Sequence, residues 1–289
     1  MPSTEQRIVI HADDVGMCHG ANSAFVELSR LGTISSGSVM VPCPWFAEIA
    51  TIAADDPTLD VGVHLTLNSE QAGYRWAPLT RPAASAGLTD DDGFFWSQVA
   101  DTRASARPDA VEAEWRAQID RALAAGIDVT HLDAHMGAAL APEWCDRYVQ
   151  LGVDYDVPVL LTSTFDAYGP NDHLGGTTEA MFAGFVETAQ AAGMPVFGRC
   201  LETDFQRARG VAPDYESMLS SVADDLVYCA FHPCAAGPGE IEVIEPGAHH
   251  VRVDEHQLFR TAGWVDWLGQ QDFEVIGMRR LRDEWRATR

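Results

Sequence analysis

Two adjacent carboxylates, Asp13 and Asp14, end a short apolar run in the stretch VIHADDVGMCHG, residues 9–20. Histidines close three other apolar runs: His64 in DVGVHLTL, His135 in THLDAHMG, and His232 just before Pro233. In the second of these, His131, Asp133 and His135 recur at every second position, which on a strand sends all three to one face. Such a stripe is unfavourable unless it coordinates something. Two imidazoles with one carboxylate, leaving positions open to water, suit a catalytic divalent metal. Nitrogen ligands lean toward zinc, cobalt or nickel, with magnesium as the alternative. Such an ion brings the pKa of bound water toward about 7 and polarises a carbonyl oxygen.

Adjacent carboxylates can then divide the work, one binding the metal and the other taking a proton from water. Strict strand alternation would point Asp13 and Asp14 in opposite directions. Joint service therefore requires a turn of the backbone, which Gly16 permits. The competing reading is an aspartate pair that caps the following helix. His135, farthest toward the carboxyl end of its run, is the preferred ligand, with His64 beside it. Asp133 suits orienting a histidine from behind, and either His131 or Asp133 could join the ligands themselves.

These residues need strands that end on one side of the molecule. Eight apolar runs supply them, at 7–12, 37–42, 60–67, 130–137, 157–163, 194–200, 226–233 and 273–278. Between them lie amphipathic segments, for example 21–31 before Gly32 and 108–125 before Gly126. Strands alternating with helices predict an α/β fold, a distorted (β/α) TIM-like barrel in a single domain over 1–289, whose catalytic groups collect at the strands' carboxyl ends. A long insertion at about 68–107 carries Tyr74 and Trp76, candidates for stacking on sugar rings. Excursions at 166–177 and 234–252 are expected on the same side.

Composition removes several function classes. The chain of 289 residues has 43 acidic and 19 basic residues, a formal net charge of -24, and every basic residue is arginine. Such a surface repels phosphate backbones and anionic headgroups, so neither nucleic acid nor membrane is an expected partner. No apolar run approaches the roughly 18 residues that cross a bilayer, and no basic, apolar leader opens the chain, so a cytoplasmic location is expected. The six cysteines show no paired spacing and read as reduced thiols.

Taken in order, IVIHADDVGMCHGANSAF, GVHLTL, THLDAHMG and FHP resemble the YdjC/ChbG family of metal-dependent carbohydrate deacetylases. The resemblance runs from the first strand to the late His-Pro. It implies a distorted barrel, one divalent metal (zinc or magnesium), and removal of acetyl groups from N-acetylated sugars such as chitooligosaccharides. It also implies Asp14, His64 and His135 as ligands, Asp13 as general base, and His232 as the acid or transition-state partner. The implied partners are a small carbohydrate and, in an assembly, a second copy of the chain. The family commonly has Asn where this chain has His11, and further histidines where it has Met136 and Gly137. Competing expectations are a sugar isomerase using Glu202 and Asp204 as added ligands, an amidohydrolase, whose usual first-strand H-x-H is H-x-D here, and a non-catalytic carbohydrate-binding protein.

Overall fold

The computed structural model describes residues 6–169, 174–237 and 240–289. In chain order the elements are β1 (Arg7–Val15), α1 (His19–Leu31), β2 (Ser36–Val39), α2 (Phe46–Asp55), β3 (Val61–Leu65), α3 (Val99–Ser105), α4 (Pro108–Ala124), β4 (Val129–Ala134), α5 (Cys145–Tyr155), α6 (Glu179–Ala191), β5 (Arg199–Glu202), α7 (Tyr215–Ser220), β6 (Leu226–Phe231), α8 (Glu240–Ile244), α9 (His249–Phe259), α10 (Ala262–Leu268), β7 (Glu274–Val275) and α11 (Met278–Ala287). All strand pairs are parallel, in the order β4-β3-β2-β1-β6-β5, and β7 also pairs with β1. Single parallel bridges, Leu132 to Val159 and Thr162 to Phe197, connect β4 through segment 157–163 toward β5 and close the sheet into a distorted barrel.

The expected fifth strand is therefore corrected to a bridging segment. Pro158 has no N–H to donate, and the segment makes isolated bridges in place of a ladder. The sixth strand starts later than expected, at Arg199. The eighth shrinks to two residues, because β7 pairs only with Arg7 and Ile8 while β2 takes over beside β1 from His11 onward. The fourth run leaves the sheet at Ala134, so His135 opens a short 3-10 segment, His135–Leu140.

Period-two alternation sorts β1 between two cores. Ile8, Ile10 and Ala12 pack in the cluster that contains Phe25 and Leu28 of α1, whereas Val9 packs with Leu160, Phe197 and Tyr228. Helix α1 ends where Gly32 adopts φ 76°, its N–H returning to Leu28 and Ser29 carbonyls. Burying a side chain such as Phe25 stabilises by about 1.5–3 kcal/mol. The insertion after β3 is ordered by bridges Asn68–Trp96 and Thr89–Phe95 and by α3.

Among the described residues no helix is long and apolar enough to cross a membrane. All six cysteines are free and buried. The start of the chain before Gln6, read above for a leader, lies outside the described residues, as do 170–173 and 238–239 within the two shorter excursions.

Candidate metal centre and active site

The two aspartates owe their joint placement to a bulge. Ala12 pairs with Gly37 and Val15 with Val39, so β1 advances three residues against two on β2. The turn falls on Asp14 itself, at φ 59°, a left-handed conformation that aspartate tolerates better than most residues. Gly16 follows at φ 90°, and its N–H donates to Asn22 Oδ1 at 2.7 Å. Asn22 in turn donates to Trp45 O and Glu48 Oε2, tying the turn to the next loop. Alternation is broken, and Asp13 and Asp14 both line one cavity. Neither caps α1, whose N-cap is Cys18 with no side-chain hydrogen bond.

Asp14 Oδ1 stands 3.4 Å from His64 Nε2 and 3.1 Å from His135 Nδ1. The donor atoms of Asp14, His64 and His135 all lie within 4.8 Å of one another, so the three could hold a metal ion. Each imidazole keeps its far nitrogen on a carboxylate: His64 Nδ1 on Asp133 Oδ1 and His135 Nε2 on Glu70 Oε2, both at 2.9 Å. That anchoring aims the near nitrogens at a common point, as metal sites require. Asp133 is itself fixed, its Oδ2 accepting from Ser38 Oγ and Tyr228 OH at 2.9 Å each. Arg252 Nη1 holds the other oxygen of Asp14 at 2.8 Å, leaving Oδ1 for a cation.

The electrostatics suit a cation as well. Burial alone would raise Asp14, but Arg252 and His135 outweigh it and hold the carboxyl well below its usual range. Burial alone would lower the imidazoles. Glu70 and Asp14 instead raise His135 to about 9, and Asp133, Asp14 and Asp13 raise His64 well above its usual value. Both shifts favour the doubly protonated rings, and a bound cation must displace a proton from each ring so charged.

Asp13 sits beside this cluster. Its Oδ1 contacts His11 Nδ1 at 2.6 Å, and its Oδ2 faces His232 Nε2 at 3.7 Å. Burial raises its carboxyl to about 7, His64 and His232 pulling down while Asp133 and Asp14 push up. His232 is steered from behind: Nδ1 meets Thr203 Oγ1 at 2.9 Å, and Thr203 donates to Glu255 Oε1 at 2.6 Å. Burial lowers His232 to about 4, so the ring starts neutral. The cavity, of about 360 Å³, has Met136, Leu160, Tyr168 and Phe205 as its apolar side. His131 does not line it; this ring lies deeper in the barrel, against His11.

The family model described as YdjC-like protein matches residues 7–270. The chain belongs to the YdjC-like family. This YdjC-like chain is 35% identical over 286 residues to carbohydrate deacetylase 1 of Listeria innocua, covering 95% of the chain and 100% of that relative. It is 33% identical over 177 residues to the carbohydrate deacetylase of Brevibacillus brevis, covering 61% and 68% respectively. A crystal structure from Enterococcus faecalis V583 superposes with a TM-score of 0.75 at 20% identity, over 96% of this chain and 99% of that one, and shows the shared fold.

Several residues of the YdjC-like site escape a reading of the sequence. Glu70 and Arg252 reach it from loop and helix segments whose approach only the folded chain reveals. Tyr228 had a signal: it shares strand parity with Ala230 and His232 in LVYCAFHP. The two aromatic candidates fall elsewhere. Trp76 is buried, its Nε1–H donating to Asn68 O, and the Tyr74 hydroxyl donates to Met17 O; neither lines the cavity. Glu70 and Gln71 of the same insertion do. Glu202 also lines it, raised to about 7 by burial and by Asp13, while Asp204 accepts the Gln206 N–H in a turn.

Proposed function

We propose that the chain is a metal-dependent carbohydrate deacetylase that removes acetyl groups from N-acetylated sugars. The observation that carries this reading is the convergence of Asp14, His64 and His135, of which Asp14 and His135 line a cavity that also receives Asp13 and His232. Carbohydrate deacetylases among its relatives supply the substrate class. A divalent ion such as zinc or magnesium, held by Asp14, His64 and His135, would polarise the acetamide carbonyl and activate water.

Asp13 takes the proton of the attacking water. His11 occupies its Oδ1, so Oδ2 is the oxygen turned to the cavity. A carboxyl raised to about 7 is well matched to proton transfer near neutral pH. His232 starts neutral and receives that proton across the gap of 3.7 Å from Asp13 Oδ2. Thr203 and Glu255 hold the ring by Nδ1, so Nε2 is the nitrogen that delivers the proton to the departing amine. The C–N bond breaks, acetate leaves, and the amine carries away the proton that came from water. The apolar side of the cavity, with Tyr168 and Phe205, suits the hydrophobic face of a sugar ring.

The test is acetate release from a small panel of N-acetylated sugars, with protein loaded with zinc or magnesium. Acetate is expected with at least one pair. No release under any combination overturns the reading.

A further inference from the structure

Most polar side chains that line the cavity are already engaged. Asp14 and Glu245 both hold Arg252, Glu70 holds His135 and accepts from Gln71, and Asp133 holds His64. Asp13 lies against His11. Two lining groups differ. Among the described residues, neither the Glu202 carboxylate nor the Tyr168 hydroxyl has a hydrogen-bond or ion-pair partner. Nor does Glu202 belong to any of the groups spaced to hold a metal ion.

The fold delivers both groups to one wall. Alternation along β5 turns Cys200 and Glu202 to the cavity, while Leu201 packs on the outer core. Thr203, next in the chain, steers His232 by Nδ1, so Glu202 ends its strand beside the proposed acid. Tyr168 closes the short turn Asp166–Tyr168, and its hydroxyl passes over Gly137. A Cβ built on Gly137 would lie 2.8 Å from that hydroxyl, and the backbone there has φ 60°, so glycine alone leaves the tyrosine its place without strain. Burial raises the Glu202 carboxyl to about 7, and Asp13 adds to it. Burial also raises the Tyr168 hydroxyl well above its usual value, with Cys200, Glu202 and Asp13 adding to it. Tyr168 therefore keeps its proton to donate. Above pH 7 Glu202 accepts only.

A free acceptor and a free donor on one cavity wall are the polar groups left to orient a ligand. Aromatic faces such as Phe205 cannot tell a hydroxyl from a hydrogen, whereas a polar group that loses its partner on binding can. We propose that Glu202 and Tyr168 form the subsite that recognises the sugar's hydroxyl groups, Glu202 accepting from one and Tyr168 donating to another, and that they are the specificity-determining pair for the carbohydrate. This step rests on the deacetylase reading, which brings a sugar into the cavity.

The test compares parent, Glu202→Ala and Tyr168→Phe at pH 8, loaded with zinc or magnesium, on N-acetylglucosamine and on analogues that each lack one hydroxyl. With the parent, at least one deoxy analogue should lose about tenfold or more in kcat/KM. On the full sugar Glu202→Ala should lose about 10- to 100-fold and Tyr168→Phe about 3- to 10-fold, chiefly through KM. Each variant should also stop distinguishing the full sugar from the analogue that lacks its hydroxyl, which a merely structural loss would not cause. Variants within twofold of the parent, or weakened equally on every analogue, overturn the subsite even if acetate is released. Calorimetric titration with N-acetylglucosamine and glucosamine separates the two readings. Sugar binding that is lost in both variants, in a protein that releases no acetate, upholds the subsite and removes the proposed function alone. A parent that neither binds nor cleaves these sugars overturns the subsite.

Discussion

Among the described residues three groups are spaced to hold a metal ion; two of them are wholly buried, and by spacing alone they are equals. Asp14, His64 and His135 form the upper one, His11, His131 and Asp133 the lower one, each with donor atoms inside 4.8 Å. Their partners differ. In the upper cluster carboxylates hold the far nitrogens of both rings, so the near ones converge beside Asp14, and Asp14 and His135 line the cavity. In the lower cluster His11 and His131 turn nitrogens on each other and on Asp13 and Thr130, and neither ring reaches the cavity. Proximity of ligand types is therefore a weak criterion; a free nitrogen with an anchored far side is a strong one.

The hardest way to break this contrast is to delete a proposed ligand. His64→Ala or His135→Ala is expected to abolish both stoichiometric metal binding and turnover, whereas His131→Gln should keep the metal. Elemental analysis of dialysed protein reads the difference. If the upper variants retain metal while the lower one loses it, the two clusters have been assigned the wrong way round.

Next in size is Asp13, which lies between the clusters. Asp13→Asn is expected to lower kcat by about 10²–10⁴-fold, with metal content unchanged. Full activity in that variant would remove Asp13 from the chemistry and leave it as a support for His11.

Much of this contrast could be read from spacing. Period two placed His131 and Asp133 on the inner face of β4, and apolar runs bounded by Gly-stopped helices marked most strands. What could not be read depends on contacts remote in sequence. The bulge that turns Asp14 inward shows only when β1 is laid against β2. Glu70 arrives from an insertion, and Arg252 from a helix more than two hundred residues beyond Asp14. The weak fifth strand fails for a local reason, Pro158, that an apolar count overlooks. Tyr74 and Trp76 are conspicuous as aromatics, yet the Trp76 N–H goes to the insertion's own Asn68 carbonyl and the Tyr74 hydroxyl ties the insertion to the Met17 carbonyl.

The imidazole charges offer a sharper comparison through pH. The folded-state pKa of His135 is raised to about 9 and that of His64 lies well above its usual value, so metal uptake at neutral pH must release protons. Affinity should therefore rise with pH from 7 toward 9, by about tenfold per unit for each proton displaced. Below pH 7 the same protons compete harder and binding weakens further. Calorimetry in buffers of different ionisation enthalpy counts the protons; pH-independent binding would show that both rings are already neutral. The anchors come next. Asp133→Asn and Glu70→Gln should each weaken metal binding by about 10- to 100-fold, since each leaves a ring without its charged acceptor. An equal loss in His131→Gln would erase the distinction between the clusters.

The smallest effect probes the lower cluster by packing alone. Gly62 of β3 faces His131, and a Cβ built there would lie 2.4 Å from Cε1 and 2.6 Å from both ring nitrogens. The ring cannot yield freely, because its two nitrogens are engaged by His11 and Thr130 in a fully buried setting. Gly62→Ala should therefore destabilise the fold by about 1–3 kcal/mol, the range for overpacking a well-filled core. Thermal unfolding reads the loss, and metal stoichiometry in the folded protein should not change, because His64 is held from its other side by Asp133. Unaltered stability would mean that the His131 ring swings aside, and the lower cluster would then lack the rigidity that separates it from the upper one.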